Sequence, residues 1–180
     1  MDKIFPKFSF AFQPIVNVTK GTIVSFEALV RGENAESAWH IFQQISPENM
    51  HSFGAMLRES AIPLAVKLGI SCNINLNLMP GGLMDSDEAI STTIDAANQC
   101  GIGLDKIVLE ITESEIIEDR RSFVDKINKY RGLGIKFSID DFGAGHSGLN
   151  LLADFQPDDI KLDLSLVRDI ESSGPKQAII

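Results

Sequence analysis

Six short runs of strand-patterned residues, separated by stretches of helical periodicity, constrain the fold of this chain more than any other feature. Runs that alternate apolar with polar residues, or are rich in β-branched side chains, predict strands at Phe10–Val16, Thr22–Arg31, Ser71–Leu78, Lys106–Thr112, Lys136–Phe142 and Asp159–Val167. Between them, Phe53, Met56, Leu57, Ala61, Leu64 and Leu68 recur at a spacing near 3.6, with Pro63 expected to kink or break the helix. Ile90, Ile94 and Ala97 form a second stripe after the cap-like Asp85-Ser86-Asp87. Phe123, Ile127 and Tyr130 form a third, which Gly132 ends. Strands that alternate with helices imply a mainly parallel α/β sheet, open or closed into a barrel.

Side chains alternate across a strand, so each run divides into two faces. Cys72, Ile74, Leu76 and Leu78 share one face, and Asn73, Asn75 and Asn77 the other. Ile107, Leu109 and Ile111 oppose Val108, Glu110 and Thr112; Phe137 and Ile139 oppose Ser138 and Asp140. In the last run Ile160 and Leu162 oppose Asp159, Lys161 and Asp163, while Glu27 and Arg31 share a face in the second. On an open sheet the polar face would meet water. In a barrel it would turn inward, where unpaired carboxylates are costly. Glu27, Glu110 and Asp140 gathered there call for positive charge, in part from Lys161 and Arg31 and in part from a metal ion. Hard oxygen ligands of this kind suit Mg²⁺ or Mn²⁺ rather than zinc. In parallel barrels the chemistry lies at the C-terminal strand ends, where Glu110, Asp140 and Asp141 fall.

A chain of 180 residues, 44% hydrophobic, supports one sizeable core. Its net charge of -9 argues against a nucleic-acid polymer as partner, because phosphate neutralisation needs clustered Lys and Arg. A small anionic ligand remains compatible if a metal ion lies between it and the carboxylates. Cys72 and Cys100 stand in unrelated contexts and read as reduced thiols. His40, His51 and His146 lack metal-ligand spacing, and the first two read as ordinary helix residues. With no apolar run near ~20 residues and no signal-peptide pattern at the N-terminus, the expectation is a soluble, cytoplasmic chain without a membrane segment.

Several short motifs occur in a single order. Gln13-Pro14-Ile15-Val16 precedes Glu27-Ala28-Leu29-Val30-Arg31; Glu110-Ile111-Thr112-Glu113, Asp140-Asp141-Phe142-Gly143-Ala144-Gly145 and Lys161-Leu162-Asp163 follow. Together, over essentially the whole chain, they resemble the QPI, EAL, E-x-T-E, DDFGxG and K-x-D segments of the bacterial EAL-domain cyclic-di-GMP phosphodiesterases. The resemblance implies a TIM-like (β/α) barrel that hydrolyses cyclic-di-GMP to the linear dinucleotide pGpG. Carried over residue by residue, Glu27, Asn77, Glu110 and Asp140 would hold a divalent metal, Mg²⁺ or Mn²⁺, and Asp141 a second one. Lys161 would position and polarise the attacking water, with Glu27 and Asp140 part of the same catalytic group. Gln13 and Arg31 would touch substrate, and Glu113 would tether the Asp141–His146 loop. Asn77 is preferred to Asn75 because it stands before Leu78-Met79-Pro80, as the family's ligand precedes a short segment ending in proline. Plainer readings make Lys161 an ion-pair partner of Asp140 or Asp163, and Arg31 a salt bridge at the rim.

The chain departs from the family pattern in two places. Its loop reads DDFGAGHSGL where the family usually has DDFGTGYSSL, a change at Ala144, His146 and Gly148 that spares the carboxylates. Pro175 reads as the first turn of a helix, so the chain is expected to stop inside an element, with six of the eight strands of a closed barrel. The family's late E-G-V-E glutamate and a substrate-contacting glutamine have no counterpart. That predicts slow turnover by this chain alone, relative to one extended through the remaining strands. It also keeps open a second reading, a degenerate module that binds cyclic-di-GMP or a protein without turnover. Sensor domains often precede such domains and dimers are common among them, so an upstream sensor domain, a protein partner and a second copy of the chain are the further partners implied.

Overall fold

The structure is a computed structural model that describes residues 5–85, 88–112, 119–145 and 148–180. Strands β1 (Phe8–Asn17) and β2 (Thr22–Gly32) open the chain, followed by helices α1 (Ala38–Phe42) and α2 (Met50–Lys67) and strand β3 (Asn73–Leu78). Next come α3 (Pro80–Asp85), α4 (Glu88–Gln99), β4 (Ile107–Thr112), α5 (Arg120–Arg131) and β5 (Lys136–Phe142). The chain continues through α6 (Gly148–Asp154), β6 (Asp159–Leu162), α7 (Leu164–Val167) and α8 (Gly174–Ile179). The strands form one sheet in the order β1-β2-β3-β4-β5-β6. The hairpin β1–β2 is antiparallel and every later pair is parallel. No helix among the described residues is long and apolar enough to cross a membrane.

The two faces of each strand separate as the alternation requires. Ile74, Leu76, Leu78, Ile107, Leu109, Ile111, Phe137 and Ile139 are buried in one core with Ala61 and Ala65 of α2, Ile90 and Ala97 of α4, and Phe123, Ile127 and Tyr130 of α5. The opposite faces turn toward one another. In a flat sheet, β2 and β6 would lie about 19 Å apart at ordinary strand spacing. Yet Lys161 Nζ on β6 reaches Glu27 Oε2 on β2 at 2.9 Å. The sheet is therefore curled into a half-barrel flanked by helices, as an incomplete (β/α) barrel of the expected type should be.

Two local expectations are corrected. Strand β6 ends at Leu162 rather than Val167, because the Asp163 side chain accepts from the Ser165 backbone N–H at 2.8 Å and starts α7. Helix α2 runs unbroken through Pro63. Pro63 and Glu59 both lie on its exposed side, so the Glu59 carbonyl that loses its helical donor can turn to water. Helix α1, whose bounds the periodicity did not give, is capped by Ser37, whose side chain accepts from the His40 backbone N–H. It buries Ile41 in a second cluster with Val30, Ile45, Phe53 and Leu57. His40 and His51 lie in α1 and α2, as read from the sequence, whereas Ser86, Asp87, Glu113 and His146 lie outside the described residues.

Helix α2 also ties α4 to the end of β3. Arg58 is buried, donating from Nε to Thr93 Oγ1 at 3.2 Å and from Nη1 to the Asn77 carbonyl at 3.1 Å. Burial lowers its pKa to about 10, which still leaves it charged at neutral pH.

Candidate active site

Register brings the site together. Gln13 pairs with Glu27 across β1–β2, and Glu27 with Asn75 across β2–β3. Asn77 pairs with Glu110, and Thr112 with Asp140. Because the sheet curls, Glu27, Glu110 and Asp140 each aim a carboxylate oxygen at one point, all within 4.8 Å of one another. Lys161 Nζ sits among them, 2.9 Å from Glu27 Oε2, 3.0 Å from Glu110 Oε2 and 3.0 Å from Asp140 Oδ1. Three carboxylates face a single ammonium, and Glu110 is fully buried. Such a cluster is short of positive charge, and its all-oxygen donor set fits a hard divalent cation.

Strand β5 ends in an irregularity that places its two aspartates. The β5–β6 register shifts between Ile139 and Phe142, and Asp141 adopts a left-handed backbone with φ 53°. That conformation costs an aspartate about 1 kcal/mol. The Asp141 N–H donates to Asp140 Oδ1 at 3.0 Å, which also fixes the Asp140 carboxylate. Gly143 follows at φ 97°, where a Cβ would run into the side chain of Leu166. Asp141 is exposed at the rim, its carboxyl raised by partial burial and by the charges of Asp140 and Asp163.

The remaining site residues are more peripheral. Gln13 and Asn77 are exposed on the same curled side, and half-buried Arg31 donates from Nη1 to the Val30 carbonyl at 2.8 Å. Pairing between β2 and β3 covers only Ser25–Glu27 with Asn73–Asn75. Beside it, between these strands and helices α1 and α2, lies a cavity of about 500 Å³, walled mainly by apolar side chains such as Val30, Phe42, Leu57 and Leu76, with Glu27 and Asn77 also lining it. A hollow of this size is typical of small-molecule sites.

Asn75, passed over for Asn77 in the sequence reading, and Ser25, not singled out there, prove central to the geometry. Asn75, buried, donates from Nδ2 to Glu110 Oε1 at 2.8 Å, and the Ser25 hydroxyl hydrogen-bonds to Asn75 Oδ1. The available signal was the register. Asn75 lies two residues deeper on the asparagine face than Asn77, where no water reaches and a polar side chain must find a protein partner.

Electrostatics follow from burial. Burial pushes the Glu110 carboxyl up to about 7 against the pull of the Lys161 ammonium and the Asn75 hydrogen bond, with Glu27 raising it further. For Lys161, burial alone would lower the pKa, but Glu110, Glu27 and Asp140 outweigh it and hold the ammonium above its ordinary value. A carboxyl whose native pKa lies above its unfolded value of 4.5 binds more protons when folded. Stability is then lost as pH rises from about 4.5 through about 7, by on the order of 3 kcal/mol. Asp141 acts in the same direction, while the raised Lys161 keeps its contribution throughout this window. We expect urea unfolding in EDTA to give lower stability at pH 8 than at pH 5, and Glu110→Gln to remove most of the difference. An unchanged pH slope in that variant would locate the effect elsewhere.

Residues 6–180 match the EAL domain family, and the chain belongs to it. It is 36% identical over 176 residues to the blue light- and temperature-regulated antirepressor BluF of Escherichia coli, covering 95% of this chain and 43% of that protein. A standalone EAL protein from Vibrio cholerae in its c-di-GMP-bound form superimposes with a TM-score of 0.91 at 40% identity, covering 98% of this chain and 75% of that one. BlrP1 of Klebsiella pneumoniae, solved with calcium and cyclic di-GMP, gives 0.88 at 40% identity, covering 96% of this chain and 44% of BlrP1. The chain thus spans less than half the length of BluF and of BlrP1.

Proposed function

We propose that this chain is the core of a cyclic-di-GMP phosphodiesterase that yields pGpG. The convergence of Glu27, Glu110 and Asp140 on Lys161 carries the reading. In the net reaction, water oxygen bonds to one phosphorus, the bond from that phosphorus to a ribose 3′ oxygen breaks, and the leaving oxygen gains a proton. The 5′-phosphate stays on the product. Relatives with this fold are described with cyclic di-GMP together with calcium or manganese, which agrees with the oxygen donor set of the cluster.

Glu27, Glu110 and Asp140, with Asn77 at the neighbouring strand end, would hold Mg²⁺ or Mn²⁺, and Asp141 at the rim would serve a second ion beside it. Bound there, the metal supplies a more acidic water and positive charge facing the phosphate. Lys161 remains an ammonium, so it donates a hydrogen bond to the attacking water and does not take its proton. Gln13 and Arg31, on the same side of the sheet, face the substrate. Glu113 would brace the loop after β5. A cation held there would offset the repulsion between the carboxylate cluster and a dianionic dinucleotide.

Incubating the chain with cyclic-di-GMP and Mn²⁺ and separating the products by chromatography tests the proposal, with pGpG as the expected product and none in EDTA. A chain that binds cyclic-di-GMP yet yields no pGpG under saturating Mn²⁺ would instead support a binding module. That the relative BluF is an antirepressor favours this second reading.

A further inference from the structure

We infer that Asn75 is a positioning residue that commits Glu110 to the cation with one oxygen, and that Ser25 holds Asn75 in the orientation this requires. The inference rests on the cation site proposed above. All three side chains are at least nine-tenths buried: Ser25 and Asn75 are 5% exposed and Glu110 0%. Hydrogen bonds buried this deeply have no water to replace them, so each partner's orientation is constrained by the next.

The direction of the chain of hydrogen bonds follows from donor and acceptor chemistry. An ionised carboxylate only accepts, so Glu110 Oε1 must face the Asn75 N–H group rather than its carbonyl. Turning the amide over would set two acceptors against each other in a site closed to solvent. The Asn75 carbonyl then faces Ser25, whose hydroxyl donates to it. With Oε1 engaged by Asn75, the other oxygen, Oε2, is the one that faces Lys161 and the converging carboxylates.

This arrangement also separates the two asparagines. The amide oxygen of Asn75, the atom an asparagine offers to a hard cation, is taken up by Ser25 on the side away from the cluster. Asn77, two residues on at the exposed end of β3, is the asparagine left to approach the cation. Asn75 acts on the cation through Glu110, in the way that partners of a metal-bound carboxylate fix its rotamer.

The test is calorimetric titration of MnCl₂ into the 180-residue chain and its variants, with the melting temperature of each measured in EDTA. Asn75→Leu, which keeps the size and removes both polar atoms, should weaken Mn²⁺ binding about tenfold. Ser25→Ala should weaken it by a smaller factor, and should add nothing in the Asn75→Leu background, because its effect passes through the amide. A purely structural asparagine would lower the melting temperature and leave the Mn²⁺ dissociation constant unchanged, which overturns the inference. A Ser25→Ala loss that persists in full without Asn75 also overturns it. Ser25→Ala removes one oxygen and remains decisive if the leucine variant does not fold. Should the unmodified chain bind no Mn²⁺, the cation site itself is wrong; should it bind while both variants match it, only the relay is.

Discussion

Replacing Lys161 with alanine is expected to lower pGpG formation by about 10²–10³-fold while leaving Mn²⁺ binding unchanged or tighter. The split follows from where the ammonium sits. Lys161 Nζ lies within 3.0 Å of Glu27, Glu110 and Asp140 and so competes with a cation for the same oxygens. Removing it deletes one positive charge from a cluster already short of them, which favours a divalent ion. The same deletion removes the donor that would hold and polarise the attacking water, and positioned donors of this kind carry much of an enzyme's electrostatic stabilisation. Without metal, the variant should be destabilised more at pH 8 than at pH 5. Lys161 is a main force holding the Glu110 carboxyl down, so its loss makes ionising that carboxyl costlier still. Product chromatography and MnCl₂ calorimetry on the same preparations check both halves. Retention of the unmodified rate with Mn²⁺ bound would reduce Lys161 to a counter-ion, the plainer reading of its position.

The faces of the sheet were legible in the sequence because period-2 alternation is a local property. Glu110 between Leu109 and Ile111, or Asp140 after Ile139, can be placed from neighbours alone. Strand β5 was bounded correctly at Lys136–Phe142 for the same reason. What the pattern cannot encode is how tightly the faces close on one another. The contact of Lys161 with Glu27 spans 134 positions and exists only because the sheet curls. The bounds of helix α1 did not emerge, because five residues are too few to show a 3.6 period, although His40 was read as helical. The end of β6 was misplaced because Leu162, Leu164 and Leu166 continue an alternating pattern past Asp163, whose cap decides the matter. Asn75 was passed over for Asn77 on the strength of the following proline. The family resemblance supplied the roles of Gln13, Arg31 and Asp141, which alternation alone could not.

The charge on Asp140 should decide whether a divalent ion stabilises the chain. A ligand that binds only the folded state adds stability that grows with its concentration over its dissociation constant, about 2.7 kcal/mol at a hundredfold excess. Asp140→Asn keeps the shape and an oxygen able to accept from the Asp141 N–H and from Lys161, which now lie at 3.0 Å each. What it loses is one of three converging negative charges. In EDTA that loss should leave the melting temperature close to that of the unmodified chain, since the remaining carboxylates repel one another less and Lys161 keeps Glu27 and Glu110 as partners. With Mn²⁺ the two proteins should diverge. The unmodified chain gains stability with each increment of metal, and the variant gains little at the same concentrations, because a neutral amide oxygen replaces an anionic ligand. Thermal unfolding across a Mn²⁺ series, with and without the substitution, reads the difference directly. Equal Mn²⁺-induced shifts in both proteins would place the ion away from Asp140, and the Glu27–Glu110–Asp140 cluster would then be a buried ion-pair network around Lys161 with no metal in it.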